Sequence, residues 1–560
     1  MRGSQTRLWA LAIAATLRRQ AQAELCATPL RAFYLGGPRP EGFAASPPDL
    51  RPIDPARGQA LLNGVFDLGG ERLQIRPGGD PWDQASPSRR FARRLHRFDW
   101  LGDLMALGDP GVREALRLTL EWRRVFGAWN AFSWSADILE RRVFNLGCAA
   151  RRLCAQASDL EAAMVAEALA QQARFLLAQH EGPRRAAERL AAAAVAGAAL
   201  AGRAGDKLMD AATGRLEAAL EQAVLADGGH ASRSPQAGLE LLFDLLALDD
   251  GLSQRGRPPA EGLSRAIDRL SAGARFFTLP DGRLAAFQGG EAGEARRTAA
   301  ALAHDDAGPG PAPREAPHAG YQRLIGRRLQ VIADTGPPAA GGWSATACGQ
   351  PMAIEVICGR DRLITNVGWS ERALGPQALR LAAGGSTAAV GDGVIGAPLG
   401  GYLARALGPR LVGGVAAVKI ERRETDTGVW LEMSHEGWRR RAALTHERRL
   451  YIDKATDELR GEDRFAPDER ASARTTPVAI HFHLRPDVRV SLARDQRSVL
   501  LRGPSNVGWW LRNDAEEVAV EPSTCFEAGQ PCRTAQVVLR SRLRTDRGGR
   551  VRWKLTMAEG

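Results

Sequence analysis

The sequence predicts a multidomain chain that is first α and then β: a train of amphipathic helices followed by an antiparallel β-sandwich. Three observations predict it. From about residue 91 to 275, apolar residues recur at helical spacing, with short connections and almost no strand signal. Residues 289–317 hold little apolar content beyond Ala and grow rich in Gly and Pro, the composition of a linker. Beyond them, short aliphatic runs bounded by Gly or Pro recur, as in a sandwich. A chain of 560 residues is also too long for one core. The division expected is a lead-in segment at 1–90, a helical domain at 91–288, a linker at 289–317 and a β-sandwich domain at 318–560.

Residues 8–17 (LWALAIAATL) are apolar, with Arg2 and Arg7 before them and Ala21-Gln22-Ala23 after. They weakly match a secretory signal, but Arg18 and Arg19 interrupt it before any cut, so an uncleaved amphipathic helix is the reading adopted. No stretch reaches the ~20 apolar residues of a membrane span. Residues 24–90 read as irregular, with short apolar islands at 61–66 and 73–75 that read as short strands or loops, and Trp82 as an anchor. Helices follow: Phe91 to Leu104, Val112 to Phe126, Ile138 to Leu153, the Ala-rich segments 160–180 and 184–203, the pair flanking residue 230, and 260–276. Successive helices on short turns pack antiparallel, and seven or more can form a curved array or a closed toroid. In the β half, strand-like runs lie at 329–334, 352–357, 363–367, 428–434, 443–453, 477–484, 498–502, 507–512, 516–520 and 534–540.

The stretch richest in chemistry is Asp227-Gly228-Gly229-His230-Ala231-Ser232-Arg233-Ser234-Pro235, between two helices. Gly228-Gly229 permits a sharp turn. Ser234-Pro235 fits an N-cap and first helical residue. A titratable loop held by two helices is a place for an active site. It is equally the make-up of a well-capped turn whose His faces solvent.

Net charge is +12. Nucleic acid, a membrane surface or an acidic polymer would each suit that balance, as would a merely compositional excess of Arg. The basic residues are dispersed and no nucleic-acid reading module is present, so no nucleic-acid partner is expected. The seven Cys (26, 148, 154, 348, 358, 525 and 532) form no CxxC pair, which argues against a disulfide framework or zinc knuckle. Cys525 and Cys532 could bridge a hairpin or stand as separate thiols. Nothing in the sequence sets the oligomeric state.

Several stretches, taken in order, resemble the heparinase II/III family of polysaccharide lyases, in its bacterial heparinase II/III-like branch. They are Asp227–Pro235, Asp281–Gly290, Gly320–Leu324, Ala347–Gly368, Ser434–Trp438, His446–Tyr451, Leu459–Arg464 and His481–Pro486. The resemblance implies an (α/α) toroid on a β-sandwich with a substrate cleft between them. It also implies β-elimination on a uronate-containing polysaccharide, with a periplasmic or envelope location; a cytoplasmic one is the alternative. That chemistry needs a neutraliser for the uronate carboxylate, a base for the C5 proton and an acid for the leaving oxygen. In the family, Asn or Glu, Tyr and His take these roles. Here His230 is the candidate base or neutraliser and Arg233 the candidate carboxylate clamp. Tyr321, like Tyr451, is a candidate acid, though a Tyr there can equally be packing. Asn130, Trp134, Arg141 and His435 are the candidate substrate contacts.

The sequence departs from the family at three places. Ala237 stands where lyases carry a Tyr. Cys348-Gly349-Gln350 stands at a His-x-Asp-like element. Gly385-Ser386-Thr387 falls where a further His is expected. No cofactor follows from the residues themselves. The resemblance allows a structural zinc, for which His481 and His483, on one strand face, and Cys348 are the candidate ligands. The departures leave two readings: a lyase acting on an acidic polysaccharide, or a non-catalytic glycan-binding or envelope-assembly protein of the same fold.

Overall fold

The structure, a computed structural model, describes residues 2–28, 36–179, 182–258, 260–305, 308, 312–370, 376–469 and 471–558. The chain folds as two units, Met1–Val224 with Glu240–Asp268, and Leu225–Leu239 with Arg269–Gly560.

The first unit is helical. Arg2–Ala27 forms one helix that runs unbroken through Ala21-Gln22-Ala23. No helix among the described residues is long and apolar enough to cross a membrane. Leu61 and Leu62, expected in a short strand or loop, instead close the helix Pro55–Leu62, because Asp54 accepts from the N–H groups of Ala56 and Arg57 and Pro55 presets the first turn. The strand signal proper starts at Val65. Val65–Leu68 pairs with Glu71–Gln74 around Gly69-Gly70, both at positive φ, as a two-residue hairpin turn requires. Trp82 is buried and donates its indole N–H to the carbonyl of Leu118 at 3.0 Å.

The helices Asp109–Phe126, Ala136–Leu153, Asp159–Leu177, Ala186–Ala199 and Gly202–Ala223 follow. Ser158 and Glu161 close a reciprocal capping box at the third of these, worth about 1 kcal/mol. Every residue from Ala187 to Ala199 is buried. A helix buried on all sides and mostly apolar belongs in the middle of its unit, and its small side chains let neighbours close in. A Cβ on Gly197 would lie 2.5 Å from the main-chain N of Met209.

The second unit is a β-sandwich. Among the described residues, one sheet runs in spatial order Lys419–Glu424, Gly428–His435, Leu444–Asp453, Glu458–Pro467, Gly549–Met557, Gly508–Asn513, Val499–Arg502 and Arg489–Leu492. The other runs Glu517–Glu527, Gln530–Arg544, Thr475–Leu484, Asp361–Thr365, Ile354–Cys358, Leu329–Asp334, Tyr321–Ile325 and Glu315–Ala316, with Ala388–Val390 also on Thr475–Leu484. Adjacent strands are antiparallel. Leu444–Asp453 alternates buried and half-buried along its whole length, the period-two pattern of a strand with one face in a core. Val331, Val356, Ile480 and Leu539 from one sheet join Leu431, Leu450, Phe465 and Leu555 from the other in a single core.

Within 289–317, the segment with linker composition, the chain forms the helix Ala295–Leu302. Glu291 is buried there, accepting from the Ser370 hydroxyl at 2.5 Å and from the N–H of Gly529 at 2.7 Å.

Candidate functional site

The loop Leu225–Leu239 belongs with the second unit, although its sequence position lies inside the span read as the helical domain. Its turn demands Gly228: φ is +82°, and a Cβ would lie 1.8 Å from the carbonyl oxygen of Arg269. Asp227 then fixes the loop. One carboxylate oxygen accepts from the N–H of Gly229 at 3.2 Å and the other from that of Ala319 at 2.8 Å. Ala319 leads into the strand Tyr321–Ile325, so the loop is tied to the sandwich edge before any of its catalytic candidates is placed.

His230 is buried, at 4% exposure. Its Nδ1 lies 2.7 Å from the Ser232 hydroxyl and accepts the Ser232 N–H at 3.2 Å. That acceptor role puts the proton of the neutral ring on Nε2. The ring meets Trp343 edge-on, with centroids 5.3 Å apart.

Arg233 follows in the left-handed region, at φ +63°. That conformation is uncommon for a residue with a Cβ and persists where surroundings over-determine it. Here they do. Nε donates to Ala319 O at 2.7 Å. One terminal nitrogen donates to Gly336 O at 3.1 Å and Pro337 O at 2.8 Å, and the other to Gly320 O at 2.8 Å and the Asp334 carboxylate at 2.6 Å. All five N–H groups are engaged, leaving none for a substrate carboxylate. The guanidinium also lies 4.8 Å over the Tyr321 ring. Gly320 and Gly336 make its bed, since a Cβ on either would approach it to 2.9 or 2.8 Å. Burial works against the charge, but Asp334 outweighs it and holds the pKa above the ordinary arginine value.

Tyr321 is fully buried, packed edge-on against Phe277 at 4.9 Å, and donates its hydroxyl to the carbonyl of Arg233 at 2.7 Å. Burial pushes its pKa well up, with the Arg233 charge pulling the other way. The phenol therefore stays protonated and clasps its own loop. Asp334 also accepts from the Gln288 amide at 2.7 Å, and Gln288 accepts from the N–H of Cys348 at 2.9 Å. The sequence did not single out Asp334 or Gln288. The signal at Asp334 was a buried carboxylate ending the mainly aliphatic strand Leu329–Asp334. Gln288 had none.

A family model described as Heparinase II/III-like, C-terminal, matches residues 308–554. The chain is 54% identical over 529 residues to FtsZ-localized protein C of Caulobacter vibrioides, covering 93% of this chain and 92% of that protein. The chain belongs to the heparinase II/III-like family. The crystal structure of heparinase III aligns over 95% of this chain and 89% of its own at 15% identity, with a TM-score of 0.69. Heparan sulfate lyase HepC from Pedobacter heparinus aligns over 95% and 88%, also at 15% identity, with a TM-score of 0.54. These likenesses establish the fold, an (α/α) toroid followed by a β-sandwich.

In this heparinase II/III-like chain, the positions that depart from the lyase pattern are built into the fold. Cys348 is buried, and burial, partly countered by the charge of Arg380, pushes its thiol up to about 11. Gln350 spends its amide N–H groups on the carbonyls of Leu379 and Leu381, at 2.9 and 3.0 Å. Ala237 lies in the helix Pro235–Gln254, its N–H donating to the Ser234 hydroxyl at 3.4 Å. Among the described residues, no group of three or more His, Cys, Asp or Glu could hold a metal ion.

The zinc candidates His481 and His483 do share a face, their rings stacked 6.1 Å apart. Both nitrogens of His483 are taken, by the Ser523 hydroxyl at 2.8 Å and Ala383 O at 2.9 Å. Nδ1 of His481 lies 3.1 Å from the Gln536 amide oxygen. A metal would have to displace these bonds.

His435, expected to touch substrate, points into the sandwich interior. It is 3% exposed, 5.2 Å from the ring of His446, and accepts the N–H of Gly437 at 3.0 Å. His446 and Arg448 each lie 2.7 Å from the Asp463 carboxylate, a buried polar group satisfied from the core side.

The remaining candidates lie in the helical unit. Asn130 caps its own turn through the N–H groups of Phe132 and Ser133. Trp134 is buried, and its indole donates to Phe126 O at 3.0 Å. Arg141 holds both oxygens of the buried Asp244, at 2.7 and 2.8 Å, and lies 4.3 Å over Phe144. As placed, each is a structural contact.

Proposed function

We propose that this chain keeps the heparinase II/III fold without lyase turnover and works as a binding component where FtsZ assembles. The observation that carries the reading is the engagement of Arg233 and Tyr321. The clamp candidate has no free N–H, and the acid candidate is a buried phenol bonded to the main chain. The substitutions Ala237 and Cys348 support it, as does the high identity to a protein named for its localisation with FtsZ. The experiment is co-sedimentation of purified full-length protein with FtsZ polymers from the same organism. The protein is expected to pellet with polymer and to stay in solution without nucleotide. Recovery in the supernatant under both conditions would overturn the proposal.

A second reading, a lyase acting on a uronate-containing acidic polysaccharide by β-elimination, is favoured by one observation. His230 stands edge-on to Trp343 in the loop, and an imidazole beside an indole is a pairing suited to a sugar carboxylate and its ring face. It predicts unsaturated sugar ends from polymer, with loss of that signal in His230→Ala.

A further inference from the structure

We propose that Cys525 and Cys532 form a redox modification site: a dithiol that a small-molecule disulfide, such as oxidised glutathione, converts to a cross-strand disulfide clasping the hairpin 517–544. The register sets the two residues directly opposite each other. The strands Glu517–Glu527 and Gln530–Arg544 are joined by Ala528-Gly529, both at positive φ, a two-residue turn that fixes a hairpin's register. Phe526 turns its N–H away from the hairpin to Val367 O, at 2.8 Å, and its opposite residue Pro531 has no N–H. Opposed pairs alternate along an antiparallel ladder, so the next pair, Cys525 and Cys532, is a hydrogen-bonded one, with Cα atoms about 5.5 Å apart. Disulfides most often span about 5.5–6 Å between Cα atoms.

The two side chains meet at one ion pair. Arg485 donates to Cys525 Sγ at 3.7 Å and pairs with Glu527, whose other oxygen lies 4.0 Å from Cys532 Sγ. Among the described residues the other five cysteines stand in no such register. Cys26 and Cys148 lie on helices, Cys154 ends one, Cys348 is outside any strand, and Cys358 stands opposite Leu329 and Asp361.

Exposure sets the order of events. Cys532 is half-buried and Cys525 is 3% exposed, so an outside reagent meets Cys532 first. The Cys532 thiolate attacks one sulfur of the external disulfide, expels one thiol and carries a mixed disulfide. Cys525 then attacks the Cys532 sulfur and expels the second thiol. The Cys525–Cys532 bond forms and the external S–S bond breaks. The two cysteine protons and two electrons end on the two released thiols. Burial pushes the Cys525 thiol up to about 12, with the Arg485 charge pulling the other way, and burial raises Cys532 too. Thiols that ionise reluctantly are poor leaving groups, so the bond, once made, is held rather than passed on. It would pin the tip through which Glu527 holds Arg283 and the N–H of Gly529 holds Glu291.

The inference stands apart from the proposed function and is tested without FtsZ. Reduced full-length protein is equilibrated in glutathione buffers of rising oxidised fraction, quenched with acid, alkylated and digested at Arg and Glu. Cleavage after Glu527 separates the two cysteines unless a disulfide joins them. Mass spectrometry should find the two fragments joined and released by reductant. Half-conversion should need about tenfold less oxidant than the same chain needs in urea, because the fold holds the thiols together. In Cys525→Ser, Cys532 should stop at the glutathione adduct; in Cys532→Ser, Cys525 should stay unmodified. Far-UV circular dichroism checks that both variants are folded. Amide hydrogen exchange at residues 526–530 should slow about threefold or more on oxidation. The proposal is overturned if the two cysteines are alkylated separately at every glutathione ratio, if wild-type Cys532 stops at the adduct, or if the link forms as readily in urea. Glutathione on Cys525 in Cys532→Ser would overturn the order of attack, and unchanged exchange would overturn the clasp.

Discussion

Arg233 and Asp334 lie 101 residues apart in sequence and form one ion pair, with the side chains 7% and 1% exposed. Removing one partner of such a pair strands the other in a medium that cannot solvate it. Arg233→Ala should therefore cost about 3–5 kcal/mol of folding stability, read as a shift in the urea midpoint. A solvated loop arginine would cost within about 0.5 kcal/mol. Arg233→Lys should recover little, because an ammonium cannot supply five donors in a fork. The sequence marked Arg233 as a carboxylate-clamp candidate, and in the fold the carboxylate it holds is that of Asp334. That pairing was not legible, because its partners are main-chain carbonyls and a carboxylate that only the fold brings together.

At the scale of single elements, the strands were legible wherever aliphatic runs met Gly or Pro, as at Leu329–Asp334 and Thr475–Leu484. Glu458–Pro467 and Gly549–Met557 went unread although both are long and central. Their outward residues are Arg, Lys and Glu, and their inward ones include Gly461 and Asp463, so apolar content is low and only the alternation remains. Gly461 is there for Trp553, since a Cβ would lie 2.1 Å from the indole. Gly461→Ala should lower stability by about 1–3 kcal/mol through overpacking, measurable by thermal melting. His483, on Thr475–Leu484, gives a pH prediction. Burial, reinforced by the charge of His481, holds its pKa at about 3 against an ordinary 6.5. As pH falls through 6.5 the unfolded chain takes up the proton first. Stability should thus be unaffected by this group above pH 6.5 and fall below it by roughly 1.4 kcal/mol per unit. Denaturant midpoints for wild type and His483→Gln at about pH 7 and pH 5 should show the smaller acid loss in the variant; parallel losses would remove His483 as a cause.

At the scale of the whole molecule, the order of helices then strands was readable because period 3.6 gives way to period 2 along the chain. Membership of the heparinase II/III-like family follows from the comparisons, but fold does not carry chemistry with it. The chain has 76 Lys and Arg against 64 Asp and Glu. Many of these pair across strands, so the net charge of +12 is an excess distributed over an ion-paired surface. Association with an acidic partner should accordingly weaken as salt rises from about 50 to about 300 mM, read in the same pelleting assay. The most direct test of the central claim, fold kept and turnover lost, is the absorbance of unsaturated uronate ends when folded protein is incubated with heparan sulfate, alginate and polygalacturonate. The account predicts a flat trace on all three. A rising trace that His230→Ala abolishes would contradict it.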